Sequence, residues 1–185
     1  MNKYRLLLSK IYRFFFPISL VEMYKRMGVQ IGEHCKFQSE VLIDYSHYWL
    51  IAIGNNVTLA PRVHILAHDA TTKSVLGYTK LGLTVIEDDV FLGAGTIVLP
   101  GVTIGKGSIV GAGAVVTHSI PTGVVAVGNP AKAICSIEEY YNKVKSKMNT
   151  HNCFNEEYTL RKNVSSDKKQ EMIEAIKKYG CAFVD

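Results

Sequence analysis

The 185-residue chain has little cysteine, little proline, one tryptophan and no long hydrophobic run. Its four cysteines, Cys35, Cys135, Cys153 and Cys181, stand 100, 18 and 28 residues apart. None of these intervals is a metal-binding or thiol-redox spacing. A chain of this length does not need disulfides to hold a core, so four reduced thiols in a cytoplasmic protein are expected. No apolar stretch approaches the ~18 residues of a spanning helix. Lys3 and Arg5 precede Leu6, Leu7 and Leu8 in the manner of a secretion signal. Lys10 and Arg13 then interrupt the stretch, and no small-residue cleavage site follows. Charge of one sign is also scarce. The net charge is +5 and the pI near 9.0, with no Lys/Arg block, RNP-like run or zinc-finger spacing, so nucleic acid is not an expected partner. With 48% hydrophobic and 20% charged residues, the composition excludes a disordered chain.

The N-terminal residues 1–28 read as a helical segment. Lys3, Lys10 and Arg13 share one helical face, with Leu7, Ile11, Phe14 and Phe15 on the other. Such a helix packs on its own domain or a partner subunit, or makes peripheral contact with a membrane. Pro17 ends it. Ser19-Leu20-Val21-Glu22 is a capping box for a second, short helix, and Gly28 closes that helix.

From Val29 the sequence changes to a period of six, irregular between Leu42 and Tyr48. Ile53, Leu59, Ile65, Ile86, Leu92, Val98, Ile104, Val110 and Val116 hold the first position, and all are aliphatic. Chance alone gives such a run roughly one time in a thousand. The fifth position is small or compact: Val57, Val63, Val90, Thr96, Val102, Ser108 and Ala114. The pattern predicts short strands alternating with turns, aliphatics inward, and Gly or Asn at turns that need positive φ. Three units close a triangular coil of about eighteen residues, and coils stack at about 4.8 Å. Ile86, Ile104 and Thr122 then mark equivalent corners, and residues 29–135 leave room for about five coils. Between Ala70 and Val85 the register breaks, with about fifteen surplus residues carrying Lys73, Tyr78 and Lys80; insertions of this size into a repeat are usually functional or disordered. After 135 the repeat ends. Ser136 to Tyr141 opens a charged helix, and Ser165-Ser166 starts another that runs to Gly180. Residues 136–185 are expected to form a helical tail covering the end of the solenoid.

Ile53-Gly54-Asn55-Asn56-Val57, Leu99 to Gly105, Val110 to Thr117, Ile120-Pro121 and Ala126-Val127-Gly128-Asn129-Pro130-Ala131-Lys132 together resemble the hexapeptide-repeat acyltransferases. The nearest relatives resemble maltose and galactoside O-acetyltransferases and those of surface-polysaccharide biosynthesis. The resemblance implies a left-handed parallel β-helix, an all-β solenoid. The general crossover rule alone predicts the right hand. It also implies a homotrimer, with acetyl-CoA as co-substrate lying between subunits, no metal, and a loop at 70–85 that walls the active site.

Of six histidines, His68 has the most telling context. It follows Ile65-Leu66-Ala67 at a repeat edge, just before the long insertion. His34 and His151 read as structural or exposed, and His64 and His118 as surface turn residues. The resemblance implies that His68 is the catalytic residue. Acyl transfer from a thioester to a hydroxyl needs a base for the hydroxyl proton, and imidazole, with an ordinary pKa of ~6.5, suits the task. No Gly-x-Ser-x-Gly elbow or Cys/His pairing points to an acyl-enzyme, so direct attack is expected. The resemblance further implies that Phe91 and Ala94 stand beside the CoA arm, Gly111, Ala112 and Thr117 bond its amides, and Lys132 meets its phosphates. Asp44 and His47 resemble a segment of the polysaccharide-type relatives that orients the base or binds the acceptor. The catalytic asparagine of the sugar acetyltransferases has no match here: Gln38-Ser39-Glu40 occupies its place. The acceptor is expected to be a saccharide. N-acetylation of an amino sugar or antibiotic, a γ-carbonic-anhydrase-like zinc site and a non-catalytic scaffold are the alternatives. His64 and His68 fall on different repeat positions and are expected to diverge, which disfavours a three-histidine zinc site.

Overall fold

The computed structural model describes residues 19–185. The first expected helix, with Pro17, lies outside them. Two compact units are present, one ending at Ile137 and one over Glu138–Asp185.

The first unit is a parallel β-helix with three faces. The first face stacks Gln30–Ile31, Ile51–Ile53, Thr84–Ile86 and Thr103–Ile104 in parallel. The second stacks Lys36–Phe37, Thr58–Leu59, Phe91–Leu92, Ile109–Val110 and Val124–Val127. The third stacks Leu42–Ile43, His64–Ile65, Ile97–Val98 and Val115–Val116.

The repeat pattern explains this construction. Ile31, Ile53, Ile86 and Ile104 are register partners, and so are Ile43, Ile65, Val98 and Val116. All nine first-position aliphatics are buried, as are the seven fifth-position residues. Thr96 and Ser108 satisfy their buried hydroxyls on the carbonyls of Gly93 and Pro121, each at 2.7 Å.

The turns share one left-handed residue. Gly95, Gly107, Gly113, Gly123 and Asn56 take it, as the pattern predicts, but so do His34, Glu40, Arg62 and Asp89. A non-glycine residue there costs roughly 1–2 kcal/mol. Stacking turn on turn brings compensating contacts: Asn56 Nδ2 donates to Asp89 at 3.0 Å, and Arg62 lies 3.3 Å from Glu40.

One expected register is corrected. Ile104 bridges to Ile120, not Thr122, and Val110 pairs with Ala126. The last pass is two residues short because only Thr117, His118 and Ser119 separate Val116 from Ile120. The chain then reverses through the cis Asn129–Pro130 bond, and Lys132–Ser136 pairs antiparallel with Val124–Val127. At the opposite end the helix Leu20–Met27 is capped by Ser19 and Gly28. Its Tyr24 hydroxyl donates to Val41 O at 3.0 Å and accepts from Ile43 N at 3.2 Å.

In the second unit the helix Ser166–Tyr179 is capped by Ser165 and Gly180, as expected. Buried Asn152 donates to Lys147 O at 2.8 Å and accepts from Asn149 N at 2.8 Å. Cys153–Phe154 pairs in parallel with Phe183–Val184. All four cysteines are free. No described helix is long and apolar enough to cross a membrane.

The tight rung spacing makes a specific demand on glycine. A Cβ at Gly93 would meet the backbone N of Ala112 at 2.4 Å, whereas Gly95 at φ +68° has open space around it. Gly95→Ala is expected to cost about 1–2 kcal/mol, and Gly93→Ala more, because two backbones must separate. Urea unfolding midpoints rank the two; the reverse order would refute the spacing argument.

Candidate active site

Rung spacing decides where the site forms. Ile86 and Ile104 are 18 residues apart as neighbours on the first face. Ile53 and Ile86 are 33 apart, and Ile31 and Ile53 are 22 apart. The surplus residues cannot enter the coil without breaking the aliphatic ladders, so they leave at a corner. Both surpluses leave at the same one, between the third and first faces. Residues 44–50 emerge from the first rung and residues 66–83 from the second. Two irregular segments far apart in sequence are therefore adjacent in space.

The second segment is a hairpin rather than a loose loop. His68–Asp69 pairs antiparallel with Lys80–Leu81, and a short helix, Lys73–Leu76, turns at Gly77. Its base is pinned. Ala67 is fully buried, Gly82 N donates to Ala67 O at 3.0 Å, and buried Thr84 donates its hydroxyl to Leu66 O at 2.7 Å. His68 thus stands on a fixed strand one residue beyond the core.

The first segment brings Asp44 beneath it. The Asp44 side chain has no exposed surface, and that of His68 is 30% exposed. Oδ2 of Asp44 accepts from His68 Nδ1 and from Ala67 N at 3.0 Å. Oδ1 accepts from Ser46 N at 3.0 Å, the Ser46 hydroxyl at 2.9 Å and His47 N at 3.2 Å. Burial alone pushes the Asp44 carboxyl upward. The bonds from Ala67, His68 and Ser46 outweigh it and hold the group well below the usual carboxylate range. Asp44 is therefore a charged acceptor, and the His68 nitrogen facing it carries a proton.

His47 completes the cluster. Its Nδ1 lies 2.9 Å from Ser46 Oγ, its ring centroid 5.1 Å from that of His68 and 5.3 Å from that of Trp49. Asp44, His47 and His68 each offer one metal-ligand atom within 4.8 Å of one another, so the trio can serve as an acid–base site or hold a divalent ion. His64 lies on the outward side of the third face and does not join it.

The remaining candidates lie elsewhere on the coil. Phe91 is exposed on the second face between Thr58 and Ile109. Ala94, Gly111 and Ala112 sit at the corner between the second and third faces, where Gly113 N donates to Ala94 O at 2.8 Å. Lys132 is exposed opposite Val127 on the antiparallel end strand. Thr117 follows Val116 at the His68 corner, two rungs along. One chain therefore places His68 and most of these candidates at opposite edges of its third face. Gln38-Ser39-Glu40 is also at the far edge.

Asp44 stands among the acceptor-binding expectations as well as the partner expectations. Its side chain has no exposed surface and is hydrogen-bonded to His68. Ser46 and Trp49 escape the sequence reading. The signal for Ser46 was the spacing Asp44-x-Ser46, which closes a side-chain-capped turn in which an aspartate accepts the N–H two residues on.

Residues 83–118 match the family "Bacterial transferase hexapeptide (six repeats)". The chain is 38% identical over 152 residues to Protein CapG of Staphylococcus aureus, covering 78% of this chain and 82% of that protein. It is 33% identical over 160 residues to a galactoside O-acetyltransferase of Lactococcus lactis, covering 73% and 74%. The chain belongs to the hexapeptide-repeat acetyltransferases. Among solved structures, a galactoside acetyltransferase in complex with coenzyme A matches with a TM-score of 0.54 at 28% identity, covering 71% of this chain and 78% of that one. A shorter stretch of 63 residues is 54% identical to a 2,3,4,5-tetrahydropyridine-2,6-dicarboxylate N-acetyltransferase of Clostridium perfringens, covering 25% of that protein.

The low Asp44 pKa fixes a stability dependence. A carboxyl depressed by folding contributes stability that is present above its unfolded value and lost as pH falls through the folded one. Wild type is expected to be more stable than Asp44→Asn at neutral pH. That gap should shrink as pH falls below about 4. Urea unfolding across this range tests it, and a gap that stays constant with pH would refute the charged state of Asp44.

Proposed function

We propose that the protein is an acetyl-CoA-dependent O-acetyltransferase acting on a saccharide or surface-polysaccharide precursor, with His68 as general base. The observation that carries this reading is the His68–Asp44 pair, held by a buried carboxylate at a corner that two insertions open. With Nδ1 protonated toward Asp44, His68 Nε2 is a free lone pair and takes the acceptor hydroxyl proton. The acceptor oxygen attacks the thioester carbonyl carbon and the tetrahedral intermediate forms. The C–S bond then breaks, and the imidazolium returns the proton to the leaving thiolate, giving CoA thiol. Asp44 stabilises the imidazolium between the two transfers. His47 faces only a neutral hydroxyl, which is why the base is assigned to His68.

Phe91, Ala94, Gly111, Ala112, Thr117 and Lys132 form the acetyl-CoA groove in this reading. Their separation from His68 within one chain favours a groove between neighbouring copies, one copy supplying the His68 corner and the next the far edge of the third face. A homotrimer of left-handed coils closes such contacts around a three-fold axis. The hairpin walls the acceptor from water that would hydrolyse the thioester. Asp44 is already engaged by Ala67, Ser46, His47 and His68, which supports acid–base chemistry without a metal. N-acetylation uses the same base. The O-acetyl reading rests on the longer alignment to the galactoside enzyme.

Acetyl-CoA turnover against a panel of sugars, amino sugars and glycan precursors identifies the acceptor. On it, His68→Asn is expected to lower kcat at least about 100-fold. CoA binding and sedimentation should be retained, and EDTA should not affect the wild-type rate. Near-normal kcat in His68→Asn would move the base to another residue, His47 first. Lys132→Ala should weaken CoA binding roughly fivefold, because an exposed phosphate contact is screened. Unchanged affinity, measured by calorimetry, would place the groove elsewhere.

A further inference from the structure

Building on the acetyltransferase reading, we infer that His47 is an acceptor-positioning residue. The Ser46–Asp44 relay sets its tautomer, and the hydroxyl it receives neighbours the one His68 activates, so the substrate class is a ring-borne vicinal diol.

The inference follows from counting protons. Asp44, as a carboxylate, only accepts hydrogen bonds. Its Oδ1 lies 2.9 Å from the Ser46 hydroxyl, which has one proton and gives it to Asp44. Ser46 Oγ is left with lone pairs alone, and these face His47 Nδ1 and, at 3.2 Å, the His68 Nδ1 that also bonds Asp44. His47 Nδ1, 2.9 Å from that oxygen, must then be the donor and carry a proton. A neutral imidazole has one proton, so His47 Nε2 is bare. The same count at Asp44 leaves His68 Nε2 bare. Two imidazoles with centroids 5.1 Å apart therefore each present a lone pair, and among the described residues no donor meets either Nε2.

Two imidazole rings this close, each with a bare Nε2, favour a ligand with two adjacent donors. Vicinal ring hydroxyls lie on the order of 3 Å apart, and each forms a bond of about 2.8 Å to its own nitrogen. One hydroxyl gives His68 its proton and becomes the nucleophile; the other donates to His47 and is not consumed. The two roles differ in what faces Nδ1: a carboxylate at His68, a neutral hydroxyl at His47. Beyond His47, Trp49 is 56% exposed with its centroid 5.3 Å away. Its ring offers an apolar wall for the carbons that bear the diol.

Two measurements test this. Long-range 15N–1H NMR of the full chain reads the tautomer directly and needs no acceptor. His47 is expected with Nδ1 protonated and Nε2 bare, and Ser46→Ala should release that bias while Ser46→Thr keeps it. The second compares acetyl transfer to 1,2-cyclohexanediol and to cyclohexanol. Wild type should favour the diol at least about tenfold in kcat/KM. His47→Leu should reduce the preference below about threefold, chiefly through the diol KM, and His47→Gln, which restores an acceptor, should keep more of it. A protonated Nε2 on His47, equal use of both alcohols by wild type, or a preference that survives His47→Leu would overturn the inference. Absence of any CoA binding or acetyl transfer would instead defeat the acetyltransferase reading, with the tautomer result standing apart.

Discussion

Everything in the first unit depends on equal rung length. Aliphatic side chains stack directly on their counterparts one turn away, and burial of each is worth about 1.5–3 kcal/mol. A residue too many inside a turn shifts every later side chain off its ladder. The coil therefore tolerates extra chain only where it bends. The site exists because two such extras were expelled through one corner in successive turns. Neither segment holds the candidate site alone: Asp44 comes from one, His68 from the other, and Ala67 at the edge of the core joins them through its N–H.

Electrostatics then follow from burial. A carboxylate sealed from water is unfavourable unless its lone pairs are met, and here three backbone N–H groups, a hydroxyl and an imidazole meet them. The consequence is directional. Each of these donors is turned toward Asp44.

Much of this was legible in the sequence. The nine first-position aliphatics identify the repeat because the ladder admits no polar residue there, and the caps at Ser19, Gly28, Ser165 and Gly180 were readable from local chemistry. His68 stood out by its position before the insertion. Other features were not legible. The shortened last turn was hidden because a six-residue count from Val116 reaches Thr122, and only the pairing of Ile120 with Ile104 reveals the contraction. The antiparallel arms of the insertion carry no alternation that would announce them. Ser46 was missed because its importance lies in three partners from two segments, and spacing along one segment cannot show that. The turn residues His34, Glu40, Arg62 and Asp89 break the preference for glycine, since a rigid coil imposes its dihedral angles on whatever occupies the turn.

A stack of identical rungs is also a template for endless growth. A terminal rung of such a stack carries N–H and C=O groups in the register that a further rung, or another molecule, would adopt. At one end a tyrosine hydroxyl occupies a carbonyl and an amide of the opening turn. At the other the final strand runs against the grain of its face, so an incoming parallel strand finds the wrong hydrogen-bond pattern. These two small devices address a colloidal problem rather than a catalytic one. Between them they make each end of the described coil a poorer template for edge-to-edge stacking.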